Sequence, residues 1–291
     1  MESNVVGLIG LGRMGSAILG RLKLSREVLI YDLDAELVES LLEDGVRGAS
    51  SLEDFKACRQ IVLCLPSAAA SSAVLRGVDA VVDGARIYET STVPPDHVRS
   101  LSAGISGGNV LFDAAILAGV EAMTLGQAKL LVGNARNLTD DDRDVLSQFS
   151  STFTRFDELG GGMAAKIINN AIAHANMAVL LEARAMAEAH GISDDELFAI
   201  LDEEDSGVYR PYEFRLKERV AQRQFHGGMS VSMALKDSLH AIEVATGVGV
   251  PLFSIAAAHQ VYQLAVSAGL GDLDYSSINL LWSSSHHDSG V

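Results

Sequence analysis

The stretch Val5-Val6-Gly7-Leu8-Ile9-Gly10-Leu11-Gly12-Arg13-Met14-Gly15 constrains the fold more than any other part of the chain. Its first five residues form a short apolar run, the pattern of a strand buried on both faces, which requires a sheet covered by helices on each side. The run breaks at Gly10, and a helical pattern follows through Leu22. Strand, Gly-x-Gly-x-x-Gly turn and helix together make an arrangement in which a dinucleotide pyrophosphate meets a helix N-terminus. The first glycine (Gly10) permits the tight turn. The second (Gly12) lets a phosphate approach the backbone. The third (Gly15) lets the helix pack close to the strand. A glycine-rich turn of an unrelated α/β protein is the competing reading.

A second strand at 28–31 ends in Asp32, 22 residues after Gly10. A carboxylate there is spaced to accept the adenosine ribose hydroxyls, and it is equally placed to cap the next helix. Leu33 and Asp34 follow with no arginine beside them, so a 2′-phosphate would meet negative charge without a counter-ion. NAD is therefore expected ahead of NADP. Further strands are expected at 61–65, 86–89, 110–114, 129–132 and 153–156, alternating with helical segments, including one from 35 to 42 and another opened by Thr139 and three acids. Such alternation implies a mostly parallel, doubly wound sheet. Thr92 follows the 86–89 strand, where its hydroxyl either caps the next helix or faces the nicotinamide end of a cofactor.

From residue 160 onward the pattern is almost entirely helical. Gly160-Gly161-Gly162-Met163-Ala164-Ala165-Lys166-Ile167-Ile168-Asn169-Asn170 opens a long helix reaching about His190. Lys166 lies near its start and Asn170 one turn further on the same face. The macrodipole disfavours a cation there, which lowers the lysine's proton affinity as a proton-shuttling amine requires. A surface lysine on an amphipathic helix is the bland alternative. Ser193 and Glu196 form a capping box for the next helix, and a charged helix from 209 to 220 carries Lys217 as a solvated side chain. The polar tail 283–291 reads as disordered; its His286 and His287, without a third ligand, make no metal site.

The 291 residues carry 22 basic and 38 acidic side chains, a net charge of −16, which disfavours nucleic acid and anionic membranes as partners. No apolar run approaches the ~18 residues of a membrane span. Cys58 and Cys64 offer no disulfide framework, and the acidic start leads straight into a strand, so a cytoplasmic setting is expected. The organisation expected is therefore α/β: a Rossmann-type doubly wound domain over 1–158, then an all-α domain over 159–291, joined by a long interdomain helix.

These motifs resemble the β-hydroxyacid dehydrogenases, the group of 3-hydroxyisobutyrate dehydrogenase. The resemblance covers nearly the whole chain. Gly7-Leu8-Ile9-Gly10-Leu11-Gly12-Arg13-Met14-Gly15 is similar to the family's cofactor signature, Leu65-Pro66 and Ser91-Thr92 to its two cofactor loops, Gly160-x-Gly162-x-x-x-Lys166-x-x-x-Asn170 to its catalytic block, and Lys236-Asp237 to a motif of its helical domain. The resemblance implies that Lys166 is the general acid/base and that Asn170 holds lysine and substrate in register. It further implies that Arg13, Met14, Leu65, Pro66 and Thr92 border the cofactor, and that Lys236 closes over cofactor or substrate. No metal is implied. One departure stands out. Relatives carry a Pro-Val-Ser-Gly-Gly-like turn for the substrate carboxylate, where this chain has Ala115-Ile116-Leu117-Ala118-Gly119. Leu117 replaces the serine and Ala118 a glycine, which alters specificity at a site built for a polar group. The same stretch resembles that of imine reductases, a related group that typically lacks the lysine. The expected function is hydride transfer between NAD(P) and a small 3-hydroxy acid. Reduction of an imine or a hydrophobic carbonyl is the alternative, and a non-catalytic nucleotide-binding module is a third possibility. A homo-oligomer, dimer or tetramer, is expected.

Overall fold

The computed structural model describes residues 5–204 and 206–283, so residues 284–291 of the tail expected to be disordered, with His286 and His287, lie outside the described residues. The chain divides into two compact units, the first ending at Asn170 and the second beginning at Ala171.

The first unit is built on eight strands: β1 (Val5–Ile9), β2 (Glu27–Tyr31), β3 (Val46–Gly48), β4 (Gln60–Leu63), β5 (Arg86–Glu89), β6 (Val110–Leu117), β7 (Lys129–Val132) and β8 (Thr152–Arg155). Between them run α1 (Arg13–Leu22), α2 (Ala35–Ser40), α3 (Ala68–Asp79), α4 (Pro95–Ala103), α5 (Val120–Thr124) and α6 (Asp140–Gln148). The spatial order β3-β2-β1-β4-β5-β6-β7-β8 contains the doubly wound order 3-2-1-4-5-6. Alternate residues of the strands feed two separate cores. Val62, Tyr88 and Phe112 pack on one face with Ile18 and Leu22 of α1. Ile61, Ile87 and Leu111 pack on the other with Leu75 and Val78 of α3. Both faces are therefore dry, which is why the strands read as apolar runs rather than alternating ones.

The sheet is parallel except at one pairing, where β7 runs antiparallel to β6, with Ala114 opposite Val132. The connection holds only the five-residue α5, and a parallel return needs a crossover of a dozen or more residues. The β7–β8 connection carries the nine-residue α6, and that pair is parallel. Thr139 and Asp142 form a reciprocal capping box at the start of α6. Asp142 is fully buried and also accepts a hydrogen bond from the Tyr88 hydroxyl at 2.5 Å and an ion pair from Arg86, tying α6 to β5.

Helix α7 (Gly161–Ala189) runs from the first unit into the second. The second unit also contains α8 (Asp194–Leu201), α9 (Val231–Gly247), α10 (Ser254–Ser267) and α11 (Leu280–Ser283). The capping box expected at Ser193 and Glu196 is present. The charged segment Pro211–Val220 adopts π-helical geometry, and Lys217 pairs with Glu213 at 2.6 Å. Glu182 of α7 accepts the N–H groups of Phe253, Ser254 and Ile255, which satisfies the start of α10.

Candidate active site

The strand order reverses at β1, which has β2 on one side and β4 on the other. Ligands of open parallel sheets bind beyond the carboxyl ends of the strands at such a switch point. A cleft of about 630 Å³ lies there. The turn after β1 contributes Gly10, Gly12, Arg13, Met14 and Gly15; β2 ends there in Asp32; Leu65 and Pro66 follow β4. Gly10 has φ of +95°, and a side chain on it would collide with the Cys64 carbonyl. Gly12 differs: a Cβ there would meet nothing within 4 Å, so the space over it is open. Helix α1 has no side-chain cap and no acid in its first turn, leaving its first N–H groups ready for an anion.

Asp32 does not cap α2. Asp34 does, accepting the Leu37 N–H at 3.0 Å. Asp32 instead accepts the Leu11 N–H at 2.7 Å through one oxygen and the Asp34 N–H at 3.0 Å through the other, pinning the end of β2 to the glycine turn. Each oxygen retains a lone pair. Beside it Leu33 is 92% exposed on the cleft, and Leu52, Ala70 and Val74 continue an apolar wall. An exposed leucine at a cleft mouth suits the flat face of a purine. Nothing in the local sequence pattern around Leu33 marked it as a site residue.

The two loops after β4 and β5 are joined from below. Glu89, fully buried at the end of β5, accepts hydrogen bonds from the Ser71 hydroxyl and from the Ser91 N–H at 2.8 Å. The Ser91 oxygen in turn accepts the Leu65 N–H at 2.7 Å. Thr92 does not cap α4, whose N-cap is Pro94 and carries no side-chain cap. Thr92 is exposed and lies one residue beyond this network.

Lys166 is half-buried on α7, and its Nζ donates to the Ile116 carbonyl at 2.7 Å. Its pKa is lowered by burial, with Cys64 acting in the opposite direction. Desolvation is thus a cause of the depression that the sequence reading, which invoked the helix dipole, did not name. Ile116 is followed by Leu117 and Ala118, both half-buried, and by Gly119, the exposed N-cap of α5. The amine therefore stands at the atypical turn. Cys64 also lines the cleft, so the cleft and the lysine are near neighbours. Asn170 is half-buried one turn along α7 and makes no side-chain hydrogen bond among the described residues. Lys236 belongs to the second unit, exposed on α9 and paired with Asp237 at 3.2 Å. No group of three or more metal-ligating side chains occurs among the described residues.

Residues 5–160 match the family described as the NAD binding domain of 6-phosphogluconate dehydrogenase, more than half of the chain. Residues 160–282 match that described as NAD-binding of NADP-dependent 3-hydroxyisobutyrate dehydrogenase. The chain belongs to the β-hydroxyacid dehydrogenase family. It is an NAD(P)-dependent oxidoreductase. It is similar to mitochondrial 3-hydroxyisobutyrate dehydrogenase of Rattus norvegicus, with 27% identity over 94% of this chain and 85% of that one. It is likewise similar to 2-(hydroxymethyl)glutarate dehydrogenase of Eubacterium barkeri, with 26% identity over 97% of this chain and 96% of that one. In fold it resembles a variant imine reductase of Myxococcus stipitatus in complex with NAD+, with a TM-score of 0.89, 20% identity, and 97% and 100% of the two chains covered. No described helix is long and apolar enough to cross a membrane.

The Glu89 network gives a test. Burial raises the Glu89 pKa above its ordinary 4.5, against the hydrogen bonds from Ser71 and Ser91. A raised carboxyl pKa favours the folded state below the unfolded value, and that stability is lost as pH rises through the folded value. Glutamine cannot ionise, so Glu89→Gln gains on the wild type in urea denaturation as pH rises above the ordinary carboxyl value of 4.5. An unchanging difference across that range shows that Glu89 titrates alike in both states.

Proposed function

We propose that this family member oxidises the hydroxyl of a small 3-hydroxy acid or related β-hydroxy compound, with Lys166 taking the hydroxyl proton. The observation that carries the reading is the half-buried Lys166 amine, bonded to Ile116 beside the Leu117 turn. Burial makes its neutral form accessible, as a general base needs. The bound nicotinamide supplies the hydride acceptor. In this reading the chain's residues do the rest. Gly10, Gly12, Arg13, Met14 and Gly15 hold the pyrophosphate at the start of α1, and Asp32 accepts the ribose hydroxyls. Leu65, Pro66 and Thr92 border the nicotinamide end. Asn170 orients lysine and substrate, Leu117, Ala118 and Gly119 contact the substrate, and Lys236 closes over the site. Lys166 accepts the proton as the carbinol carbon gives up hydride; in reverse its ammonium returns it.

NAD is preferred over NADP in this reading, because Asp32 and Asp34 repel a 2′-phosphate. The second reading, reduction of an imine or hydrophobic carbonyl, draws on Leu117 and Ala118, which put apolar bulk where a carboxylate would bind. A non-catalytic role fits poorly with a desolvated amine placed at the cleft. A setting in the cytoplasm accords with the sequence reading. The partner expected beyond substrate and cofactor is a second copy of the chain. Residues 171–179 of α7 are all exposed, yet Ala171, Ile172, Ala173, Ala175, Met177, Ala178 and Val179 are apolar. A helix apolar on every side belongs in an interior.

Three measurements test this. Wild-type protein turns over 3-hydroxyisobutyrate or 2-(hydroxymethyl)glutarate faster with NAD than with NADP, and Lys166→Ala lowers kcat by about 10²–10⁴-fold while NADH fluorescence still reports binding; full activity in that variant overturns the mechanism, and turnover confined to cyclic imines selects the second reading. Leu117→Ser raises kcat/KM for a carboxylate substrate by roughly tenfold or more by restoring a hydroxyl donor; a fall shows that the leucine itself contacts substrate. Light scattering finds a dimer or tetramer, and a monomer at micromolar concentration counts against the uncovered helix as an interface.

A further inference from the structure

Strand β6 carries a carboxylate that the catalytic reading leaves unused. Asp113 is fully buried in the middle of the strand. One of its oxygens accepts the Gly160 N–H at 2.8 Å, and the other accepts the Met163 N–H at 2.9 Å. The Gly162 N–H also bears on it. These are the first N–H groups of α7, which in most helices are capped by a side chain just before the helix. Here the cap comes from a strand 47 residues earlier in the chain. The arrangement needs Gly162. A side chain there would collide with the Leu131 carbonyl and crowd the Asp113 carboxylate. Gly160, with φ of +87°, makes the turn that aims its N–H inward.

Three residues along the same strand, the Ile116 carbonyl accepts Lys166 Nζ. On α7, Lys166 stands three residues after Met163, about one turn. Strand β6 therefore grips α7 at two points: Asp113 holds the start of the helix, and Ile116 holds the amine. We propose that Asp113 is a positioning residue for Lys166, fixing the first turn of α7 on β6 and so the place and proton affinity of the amine. The inference rests on the reading of Lys166 as the proton-transfer group.

The charge of Asp113 matters as well as its shape. The hydrogen bonds it makes through its side chain are all accepted from N–H donors, the set that suits a carboxylate and not a carboxylic acid. Burial pushes its pKa up, and the N–H groups of Gly160, Met163 and Gly162 oppose that shift. An anion there offsets the positive end of the α7 dipole about one turn before Lys166. Cys64, just after β4, is the titratable group whose charge bears on the amine, and it raises the proton affinity against burial. Loss of the Asp113 charge leaves the ammonium of Lys166 less favoured, so the pH at which the amine loses its proton falls.

The test is a double-mutant cycle with full-length protein, 3-hydroxyisobutyrate and NAD, read as the single-turnover rate of NADH formation against pH. Asp113→Asn is expected to slow hydride transfer by about 10–100-fold, the scale of a misplaced reacting group. NADH affinity stays within about threefold, because the cleft does not use Asp113. The limb in which rate rises with pH moves to lower pH. In the Lys166→Ala background, Asp113→Asn adds no further loss. Asp113→Ser is the second variant, so that one poorly folding protein does not decide the outcome; NADH affinity reports which variants are folded. Equal losses in both backgrounds, or an unmoved pH limb in a folded variant, mean a purely structural carboxylate and overturn the proposal. Full activity of Lys166→Ala alone overturns the reading on which it rests, and is visible before the cycle is closed.

Discussion

Close approach of the ends of β1 and β4 is the constraint on which the cleft depends. The Cys64 carbonyl lies against Gly10, and Gly15 in turn lies against the carbonyl of Gly10. Three backbones meet where no side chain fits between them. That packing brings the uncapped start of α1 to the switch point and places Asp32 within reach of the Leu11 N–H. It also leaves Cys64 between the cleft and Lys166. A methyl group at Gly10 or Gly15 separates these parts together, because a core this dense has no slack to absorb it.

What was legible in the sequence was local or periodic. The Gly10–Gly15 turn, the alternating elements, the helix start at Thr139 and the capping box at Ser193 depend on residues a few positions apart, and the structure contains them. Less legible were features set by tertiary pairing. Strand β3, three residues with one buried side chain, exists because β2 offers its edge, not because Val46-Arg47-Gly48 has a strand pattern. The reversal of β7 follows from the short connection after β6. Among the site residues, the ambiguity at Asp32 and Thr92 was one of capping. Both residue types are good caps, and only the backbone path decides that Asp34 and Pro94 hold the cap positions. Glu89 and Asp113 were invisible for a different reason. A lone carboxylate inside an apolar run reads as a strand end, and its partners lie far along the chain.

Two forces bear on the proton affinity of the lysine. A depressed proton affinity was expected from the helix dipole, which acts only within the first turn and is screened by water. In the structure burial lowers it as well. The two effects differ in what they demand of the protein. A dipole needs only a helix start, whereas burial needs the Ile116 carbonyl and the surrounding apolar side chains to hold the amine out of solvent.

That distinction bears on the turn at Leu117. In a relative with serine there, a hydroxyl adds a polar group beside the amine. Here Leu117 and Ala118 leave the Ile116 carbonyl as the hydrogen-bond partner of Lys166 at the turn. Leu117 and Ala118 are apolar side chains at the turn that holds the amine, and an apolar setting favours its neutral form.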